Sequence, residues 1–149
     1  MTAGLLSLWN LRAKNPARAT PRHEEDTLQA AVVATLRLSH PNIRVFAVPN
    51  GGKRNAREAA RMVAQGTLAG VSDLVVVWPG RVAFIELKAP GKVTGEKRPL
   101  AALSPAQLAW YGTLQGWGIP VTVCDSVAMV ETWLREQGCP LRTHTGRVA

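Results

Sequence analysis

Two short apolar runs that meet at a tight turn constrain this chain more than any other feature. Residues 73–88 read DLVVVWPGRVAFIELK, with Val, Ile and Phe on both sides of the central Pro-Gly pair. Apolar runs of this length, rich in β-branched and aromatic residues and bounded by turn residues, are typical of buried β-strands. The segment therefore predicts a β-hairpin in the middle of the chain.

The register of this hairpin decides which side chains share a face. If Pro79-Gly80 forms a two-residue turn, Asp73 lies opposite Glu86. Opposed residues of antiparallel strands share a face, and Lys88 lies on that same face because it follows Glu86 by two positions. Pro-Gly is not the favoured hairpin turn, so a register shifted by one residue is the alternative. In the first register, two carboxylates and an ammonium group converge at one end of an apolar sheet.

A metal ion would explain this convergence of charged groups. Two adjacent carboxylates repel each other, and beside apolar walls one of them tends to take up a proton. Mg²⁺ and Mn²⁺ prefer oxygen ligands, so Asp73 and Glu86 are candidate ligands, and Lys88 is a candidate to orient a water or to stabilise charge on a phosphate. The alternative is that Glu86 and Lys88 simply lie where the strand reaches solvent.

Charge and composition narrow the class of partner. The 149 residues are most consistent with one domain, and a hydrophobic fraction of 46% is that of an ordinary globular protein. A net charge of +8 favours a polyanion such as nucleic acid, although a basic surface also serves solubility or a membrane surface. Cys124 and Cys139 show no metal or disulfide spacing, which indicates a reducing cytoplasm. No stretch approaches the ~18 apolar residues that span a bilayer.

The order of predicted elements divides the chain into three segments. Residues 1–22 form a basic arm with four basic residues and no acid, a composition that also resembles an amphipathic transit peptide. Residues 23–138 contain a helix, a strand, a basic helix, two strands, a helix, a strand and a helix. This order predicts an α/β (α+β) fold in which helices flank a mixed central β-sheet. Residues 139–149 have little to bury and are expected to form a peripheral tail.

Two polar residues at predicted helix starts have ready structural explanations. Glu25 lies in the first turn of the first helix, on the side of its buried stripe at Leu28 and Val32. This position makes it a candidate for the site, but a carboxylate there also interacts favourably with the helix dipole. Gln107 follows Ser104 by three residues, and the resulting capping box explains it without any role in catalysis.

Basic side chains gather in two regions, the helix after the Asn-Gly-Gly turn and the loop after the hairpin. Arginines three and four residues apart suit contacts with phosphates, whereas the commoner alternative is a solvated basic face. The loop over residues 89–99 is expected to be mobile because of its composition. The candidate contacts with nucleic acid are Lys53, Arg54, Arg57, Arg61, Lys92, Lys97 and Arg98.

Five motifs in this order resemble the VRR-NUC domain, a branch of the PD-(D/E)XK nuclease superfamily. They are Glu25-x-x-Leu28-Gln29, Asn50-Gly-Gly, Gly66-x-x-x-Gly70-x-x-Asp73, Ile85-Glu86-Leu-Lys88 and Ser104-x-x-Gln107. The resemblance covers about residues 24–137, nearly all of the predicted folded part. One departure is Ser72, because the family commonly has Pro immediately before the Asp.

The resemblance implies a restriction-endonuclease-like core of the PD-(D/E)XK type and a set of site residues. Asp73 and Glu86 would bind Mg²⁺ or Mn²⁺, and Glu25 would complete the metal site. Lys88 would position the attacking water or stabilise the transition state, and Gln107 would lie beside it.

The function that the resemblance implies is a divalent-metal-dependent endodeoxyribonuclease, with Asn50 at the DNA backbone. Stand-alone phage and bacterial members resemble small dimeric enzymes that act on branched DNA such as four-way (Holliday) junctions. We therefore expect a homodimer in the cytoplasm of a bacterium or a phage-infected host. One alternative is a non-cleaving DNA-binding or packaging accessory on the same fold, which would be marked by a lost metal ligand, and none is missing. The other is a restriction-type endonuclease, which usually carries added recognition elements.

Overall fold

A computed structural model describes residues 21–49, 55–96 and 98–142, without the side chains of residues 21 and 22. Its elements are α1 (Pro21–Ser39), β1 (Arg44–Ala47), α2 (Ala56–Ala64), β2 (Leu74–Trp78), β3 (Arg81–Leu87), α3 (Pro105–Gly116), β4 (Val121–Cys124) and α4 (Val127–Glu136). A short 3-10 turn at Pro99–Ala102, which the sequence does not predict, precedes α3. The order of helices and strands is the predicted one.

The four strands form one mixed sheet in the order β1-β2-β3-β4. The pairs β1–β2 and β2–β3 are antiparallel, and β4 pairs with β3 in parallel. In the hairpin, Trp78 lies opposite Arg81 and Val75 lies opposite Phe84, as the two-residue turn requires. The register shifted by one residue is therefore excluded. Gly80 has a φ of 78°, a conformation that glycine adopts with little steric cost.

The main core fills the face of the sheet that α1 and α4 cover. Side chains at every second position of β2 point into it, and α1 contributes apolar residues four positions apart, which is one turn of a helix. Burying each large apolar side chain contributes about 1.5–3 kcal/mol to the free energy of unfolding. The core includes Leu28, Val32, Leu36, Val45, Leu74, Val76, Trp78, Ile85, Leu87, Cys124, Val130 and Leu134.

Helix α3 packs on the opposite face of the sheet, over β3 and β4. The ring of Phe84 meets the ring of Trp110 edge-on, with 5.6 Å between the ring centroids. Glu86 lies on the same face, because it follows Phe84 by two positions on β3. On β1 and at the hairpin end of β2 this face is open, and Phe46 and Val77 are exposed. The side chain of Glu86 therefore lies in the part of the face next to α3.

The segment after α4 differs from the peripheral tail that the sequence predicts. Cys139 and Leu141 are buried and belong to the main core. Gly138 reverses the chain with a φ of 81°, and the N–H of Cys139 donates to the carbonyl of Leu134 at 2.9 Å. The expectation is wrong for residues 139–141 because two apolar residues among polar neighbours form no periodic pattern. Residues 143–149, like the arm over 1–20, lie outside the described residues.

Candidate active site

Three of the predicted site residues meet where β3 ends. Asp73 directly precedes β2 and Glu86 is the next-to-last residue of β3, so the hairpin register brings them together. Oδ2 of Asp73 accepts a hydrogen bond from the N–H of Leu87 at 2.8 Å. Nζ of Lys88 lies 2.9 Å from Oε1 of Glu86. The hairpin thus places two carboxylates and one ammonium group at one edge of the sheet.

Helix α1 brings Glu25 to the same strand end. Its Oε1 accepts a hydrogen bond from the N–H of Ala89 at 3.2 Å. The N–H of Lys88 donates to the carbonyl of Cys124 at 2.9 Å, and that of Leu87 donates to Asp73. The N–H groups of three consecutive residues at the end of β3, 87 to 89, therefore all donate hydrogen bonds, and two of the acceptors are site carboxylates. The contact identifies Glu25 as the helix carboxylate that reaches the end of the strand.

Helix α3 supplies Gln107, whose side-chain amide makes both capping and site contacts. Its Oε1 accepts from the N–H of Ser104 at 2.9 Å, which is half of the predicted capping box. The same oxygen accepts from Nζ of Lys88 at 3.1 Å, and Nε2 donates to Oε1 of Glu86 at 2.5 Å. The capping box therefore does not exclude a role in the site. It orients the amide so that the NH₂ group faces Glu86.

Burial makes negative charge unfavourable at the two hairpin carboxylates. Glu86 is only 4% exposed, and its burial, followed by the nearby charge of Asp73, raises its pKa to about 7 despite the contact with Lys88. Burial also raises the pKa of Asp73, although the hydrogen bond from the N–H of Leu87 lowers it in part. A cation between these groups would favour their charged forms.

The remaining carboxylate oxygens fit a divalent cation. Among the described residues, Oδ1 of Asp73 and Oε2 of Glu86 accept no hydrogen bond, because the contacts of each carboxylate use its other oxygen. No group of three His, Cys, Asp or Glu residues within 21–49, 55–96 and 98–142 is arranged to hold a metal ion. Mg²⁺ is usually bound by one or two carboxylates, with waters and substrate phosphates as its other ligands. Two carboxylates are thus a donor set of the kind that Mg²⁺ accepts.

A glycine allows the start of α3 to approach the segment that leads into Asp73. Gly70 has a φ of +83°, and a Cβ there would lie 2.4 Å from the carbonyl carbon and oxygen of Ala106 and 2.7 Å from the N of Gln107. The close approach of this backbone is therefore to α3. Gly66 has a φ of +96° and open space around it. Gly70 thus contributes to the position of Gln107.

The residue before Asp73 also contacts α3. Ser72 is buried, and its Oγ accepts a hydrogen bond from Nε1 of Trp110 at 3.2 Å. The Ser72 hydroxyl thereby links the start of β2 to the helix that carries Gln107. Ser72 is also the residue that stands where the VRR-NUC motif commonly has proline. The sequence gives no signal for it, since the partners are 38 residues apart.

Asp125 is a buried polar residue near the site, and no signal in the sequence singles it out. It follows β4 directly, is 2% exposed, and accepts hydrogen bonds from the N–H groups of Val93 at 2.8 Å and Thr94 at 2.7 Å. It also accepts one from the Thr94 hydroxyl. Burial by itself would raise the pKa of Asp125, but the hydrogen bonds from Thr94, Val93 and Gly91 outweigh it and lower the pKa.

Residues 89–96, here called the exit loop, form hydrogen-bonded turns, whereas their composition predicts a mobile loop. The N–H of Lys92 donates to the carbonyl of Ala89, and the N–H of Glu96 donates to that of Val93, each at 3.1 Å. The side chain of Val93 is buried. The exit loop is therefore two hydrogen-bonded turns with an apolar anchor. Composition misleads here because Gly, Pro and Thr occur in tight anchored turns as well as in mobile loops.

The basic residues expected to contact nucleic acid are exposed wherever the structure describes them. Arg57 and Arg61 lie on α2, a helix with no buried residue. Lys92 lies in the exit loop, and Arg98 lies between that loop and α3. The contacts of all these residues with nucleic acid stay predictions. The remaining candidates, Asn50, Lys53, Arg54 and Lys97, lie outside the described residues.

Comparison with known proteins identifies the family. The family model of the VRR-NUC domain matches residues 15–128, which is more than half of the chain. The chain belongs to the VRR-NUC family. The matched range contains every motif residue from Glu25 to Gln107. VRR-NUC domains are nuclease domains of the PD-(D/E)XK superfamily.

A solved structure shares the VRR-NUC fold. It is described as a VRR_NUC domain protein and superimposes with a TM-score of 0.56 at 20% sequence identity, covering 76% of this chain and 86% of that chain. At this identity the similarity confirms the predicted fold, a mixed sheet flanked by helices, and assigns no role to any residue. No match was found among curated proteins. None of the helices in the described residues is both long enough and apolar enough to cross a membrane.

Proposed function

We propose that this VRR-NUC protein is a divalent-metal-dependent endodeoxyribonuclease. The proposal rests on one observation above all, which is the cluster of Asp73, Glu86 and Lys88 at the end of the hairpin. A buried carboxylate (Glu86) and a half-buried one (Asp73), both with raised pKa values and available oxygens, favour a cation, and a lysine in contact with Glu86 can act on a phosphate or on water. These are the groups that hydrolysis of a phosphodiester requires.

Each residue of the cluster has a distinct role in the proposed reaction. Asp73 and Glu86 would hold Mg²⁺ or Mn²⁺, which when bound activates a water and neutralises the charge that develops on the phosphate. Lys88 is placed to orient that water or to donate to a phosphate oxygen, because its ammonium group lies 2.9 Å from Glu86. Gln107 keeps the carboxylate of Glu86 oriented through its NH₂ group. Glu25 holds the strand end at Ala89 and adds negative charge near the metal ligands.

DNA is the proposed substrate. The net charge of +8 and the exposed residues Arg57, Arg61, Lys92 and Arg98 supply a basic surface for backbone phosphates. Selectivity for branched DNA and assembly as a homodimer are proposed from the resemblance to stand-alone VRR-NUC members. A dimer also has a physical reason, since one site cuts one strand and a symmetric junction presents two equivalent strands. The free cysteines Cys124 and Cys139 agree with a cytoplasmic location.

The decisive experiment is cleavage of labelled DNA by the intact chain. The substrates are a linear duplex, a single strand, a flap and a four-way junction, each with Mg²⁺, with Mn²⁺ and with a chelator. Asp73→Asn and Glu86→Gln keep the side-chain shapes and should lower metal-dependent cleavage by about 10²-fold or more. Asp26→Asn is the matched control, because Asp26 is an exposed carboxylate next to Glu25 on α1 and should cut like the wild type.

Two outcomes would contradict the proposal. If the wild type binds DNA but cuts none of the four substrates, and the two variants bind equally well, the protein is a non-cleaving accessory. If cleavage persists in the chelator and in both variants, the hairpin cluster is not the active site. Paired cuts at symmetric positions of the junction would support both the junction preference and the homodimer.

A further inference from the structure

The carboxylate of Asp125 is used almost entirely to hold the exit loop. We infer that Asp125 is a positioning residue for DNA binding, because it fixes the loop in the conformation that holds Lys92 beside the carboxylate site. The inference rests on the proposed nuclease function. It adds a residue that does not belong to the catalytic cluster and does not contact DNA.

The conformation of the exit loop and the burial of the Asp125 carboxylate each require the hydrogen bonds between them. Oδ2 accepts the N–H groups of Val93 and Thr94, and Oδ1 accepts the Thr94 hydroxyl, while the N–H of Gly91 also helps to lower the pKa of Asp125. A carboxylate offers about four acceptor positions, so the exit loop alone can satisfy it. Hydrogen bonds to a charged acceptor are roughly twice as strong as neutral ones. Burial strengthens this dependence, because an unpaired buried carboxylate would be costly.

The residues that Asp125 binds lie on both sides of Lys92. Val93 and Thr94 follow Lys92 and donate to the carboxylate, and the N–H of Gly91, which precedes Lys92, interacts with it more weakly, so the backbone at Lys92 lies between these contacts. The N–H of Lys92 in turn binds the carbonyl of Ala89, and the N–H of Ala89 binds Glu25. Lys92 thus lies one turn after Ala89, whose N–H contacts the carboxylate of Glu25, and the side chain of Lys92 is exposed. This position suits contact with a phosphate next to the reacting one.

The sheet provides the fixed point for this arrangement. Asp125 follows β4, and β4 is parallel to β3, so both strands end at the same edge. The hydrogen bond from the N–H of Lys88 to the carbonyl of Cys124 joins the two strand ends directly. The exit loop is therefore tied to the strand that carries Glu86. A loop ordered before DNA arrives avoids the entropy cost of ordering it on binding.

Charge provides a test that separates positioning from simple electrostatics. Asp125→Asn removes a negative charge from a protein that binds a polyanion, which by itself should tighten binding. The inference predicts the opposite result, because the variant loses one acceptor oxygen and releases the exit loop. Binding of a labelled duplex is measured without metal, over a range of salt concentrations, for the wild type, Asp125→Asn, Lys92→Ala and the double variant.

The expected result is a shared defect. Lys92→Ala should lower the slope of log K against log salt by about 1, as loss of one phosphate contact does. Asp125→Asn should weaken binding and lower the slope in the same direction, and the double variant should bind no more weakly than Lys92→Ala. In cleavage assays the defect of Asp125→Asn should appear chiefly in KM rather than in kcat. Thr94→Val removes only the hydroxyl donor and should produce a smaller shift of the slope in a chain that stays folded.

Four results would overturn the inference. If Asp125→Asn is folded and binds DNA as tightly as the wild type, with the same slope of log K against log salt, the exit loop needs no anchor. If Asp125→Asn weakens DNA binding by the same factor in the wild type and in Lys92→Ala, the two residues act separately. An unchanged slope for folded Thr94→Val contradicts the anchoring role in a chain that retains Asp125. A wild type that binds no DNA at all overturns the proposed function as well, which distinguishes the two failures.

Discussion

Replacing Gly70 by alanine should show how closely the site depends on the approach of α3. The backbone at Gly70 has a φ of +83°, and this left-handed conformation costs an L-residue roughly 1–2 kcal/mol. The new Cβ would also lie 2.4 Å from the carbonyl carbon and oxygen of Ala106, whereas carbon atoms in favourable contact are about 3.5–4.0 Å apart. Crowding of this kind costs about 1–3 kcal/mol. The two costs together lower the free energy of unfolding by about 2–5 kcal/mol.

Gly66→Ala is the matched control for this prediction. Gly66 has a φ of +96°, and a Cβ there would meet nothing within 4 Å. The control variant therefore carries the backbone cost without the crowding. The difference between the unfolding free energies of the two variants, about 1–3 kcal/mol, isolates the contact with α3. Urea unfolding followed by circular dichroism measures it, provided that both variants keep the m-value of the wild type.

Cleavage by the same two variants tests the connection to the site. Crowding at Gly70 displaces the start of α3, and Gln107 lies directly after the clashing residue. A displacement of about 1 Å can lower turnover by up to ~10²-fold. Gly70→Ala should therefore cut more slowly than Gly66→Ala under conditions in which both are folded. Equal stability and equal cleavage of the two variants would refute the reasoning, because the backbone conformation alone would then explain the glycine.

Two further predictions concern α3 and Asp125. Ser104→Ala should destabilise the protein by about 0.5–2 kcal/mol through loss of the helix cap. It should lower cleavage less than Gln107→Ala does, since the Gln107 amide that contacts Glu86 is still present. Equal cleavage by the two variants would contradict a role for Gln107 in the site. The pKa of Asp125 is lower in the folded protein than the unfolded value of about 3.9, so its charged form stabilises the fold above that pH and the contribution disappears as the pH falls through the folded pKa. The difference in unfolding free energy between the wild type and Asp125→Asn should therefore be constant from about pH 5 to pH 7 and should shrink below about pH 4. Urea unfolding at each pH measures this difference, and a difference that stays constant down to pH 3 would contradict the assignment.

The parts of the fold that the sequence predicted are those with local signals. The hairpin has a strong signal because its two apolar runs are separated by only two residues, although the Pro-Gly turn left two registers open and the strand pairing decides between them. The start of α3 has a strong signal because Ser104, Pro105 and Gln107 lie within four consecutive residues. The convergence of Asp73, Glu86 and Lys88 follows from the hairpin alone. Given the two-residue register, the meeting of these three side chains was therefore predictable before any long-range contact was known.

The contacts that the sequence did not predict join residues far apart in the chain. Asp125 binds residues 31 and 32 positions earlier, and Glu25 reaches an amide 64 positions later. The face of α1 indicated the direction of Glu25, but nothing in the sequence identified Ala89 as its partner. Pairing at this separation produces no periodic pattern, so the same residues are compatible with an exposed carboxylate or a mobile loop. Only the packing of the strand ends decides between these states.

The three held amides at the end of β3 constrain how this protein can lose its activity. Two of their acceptors are the carboxylates of Asp73 and Glu25, so an alanine at either position removes a site oxygen and also leaves a backbone N–H without its partner. An orphaned, partly buried donor costs about 1–3 kcal/mol. A lineage that abandoned cleavage while keeping the fold would therefore be expected to pass through Asn or Gln, which retain an oxygen for the amide. Inactive descendants of such a protein should still carry an amide side chain where the acid once stood.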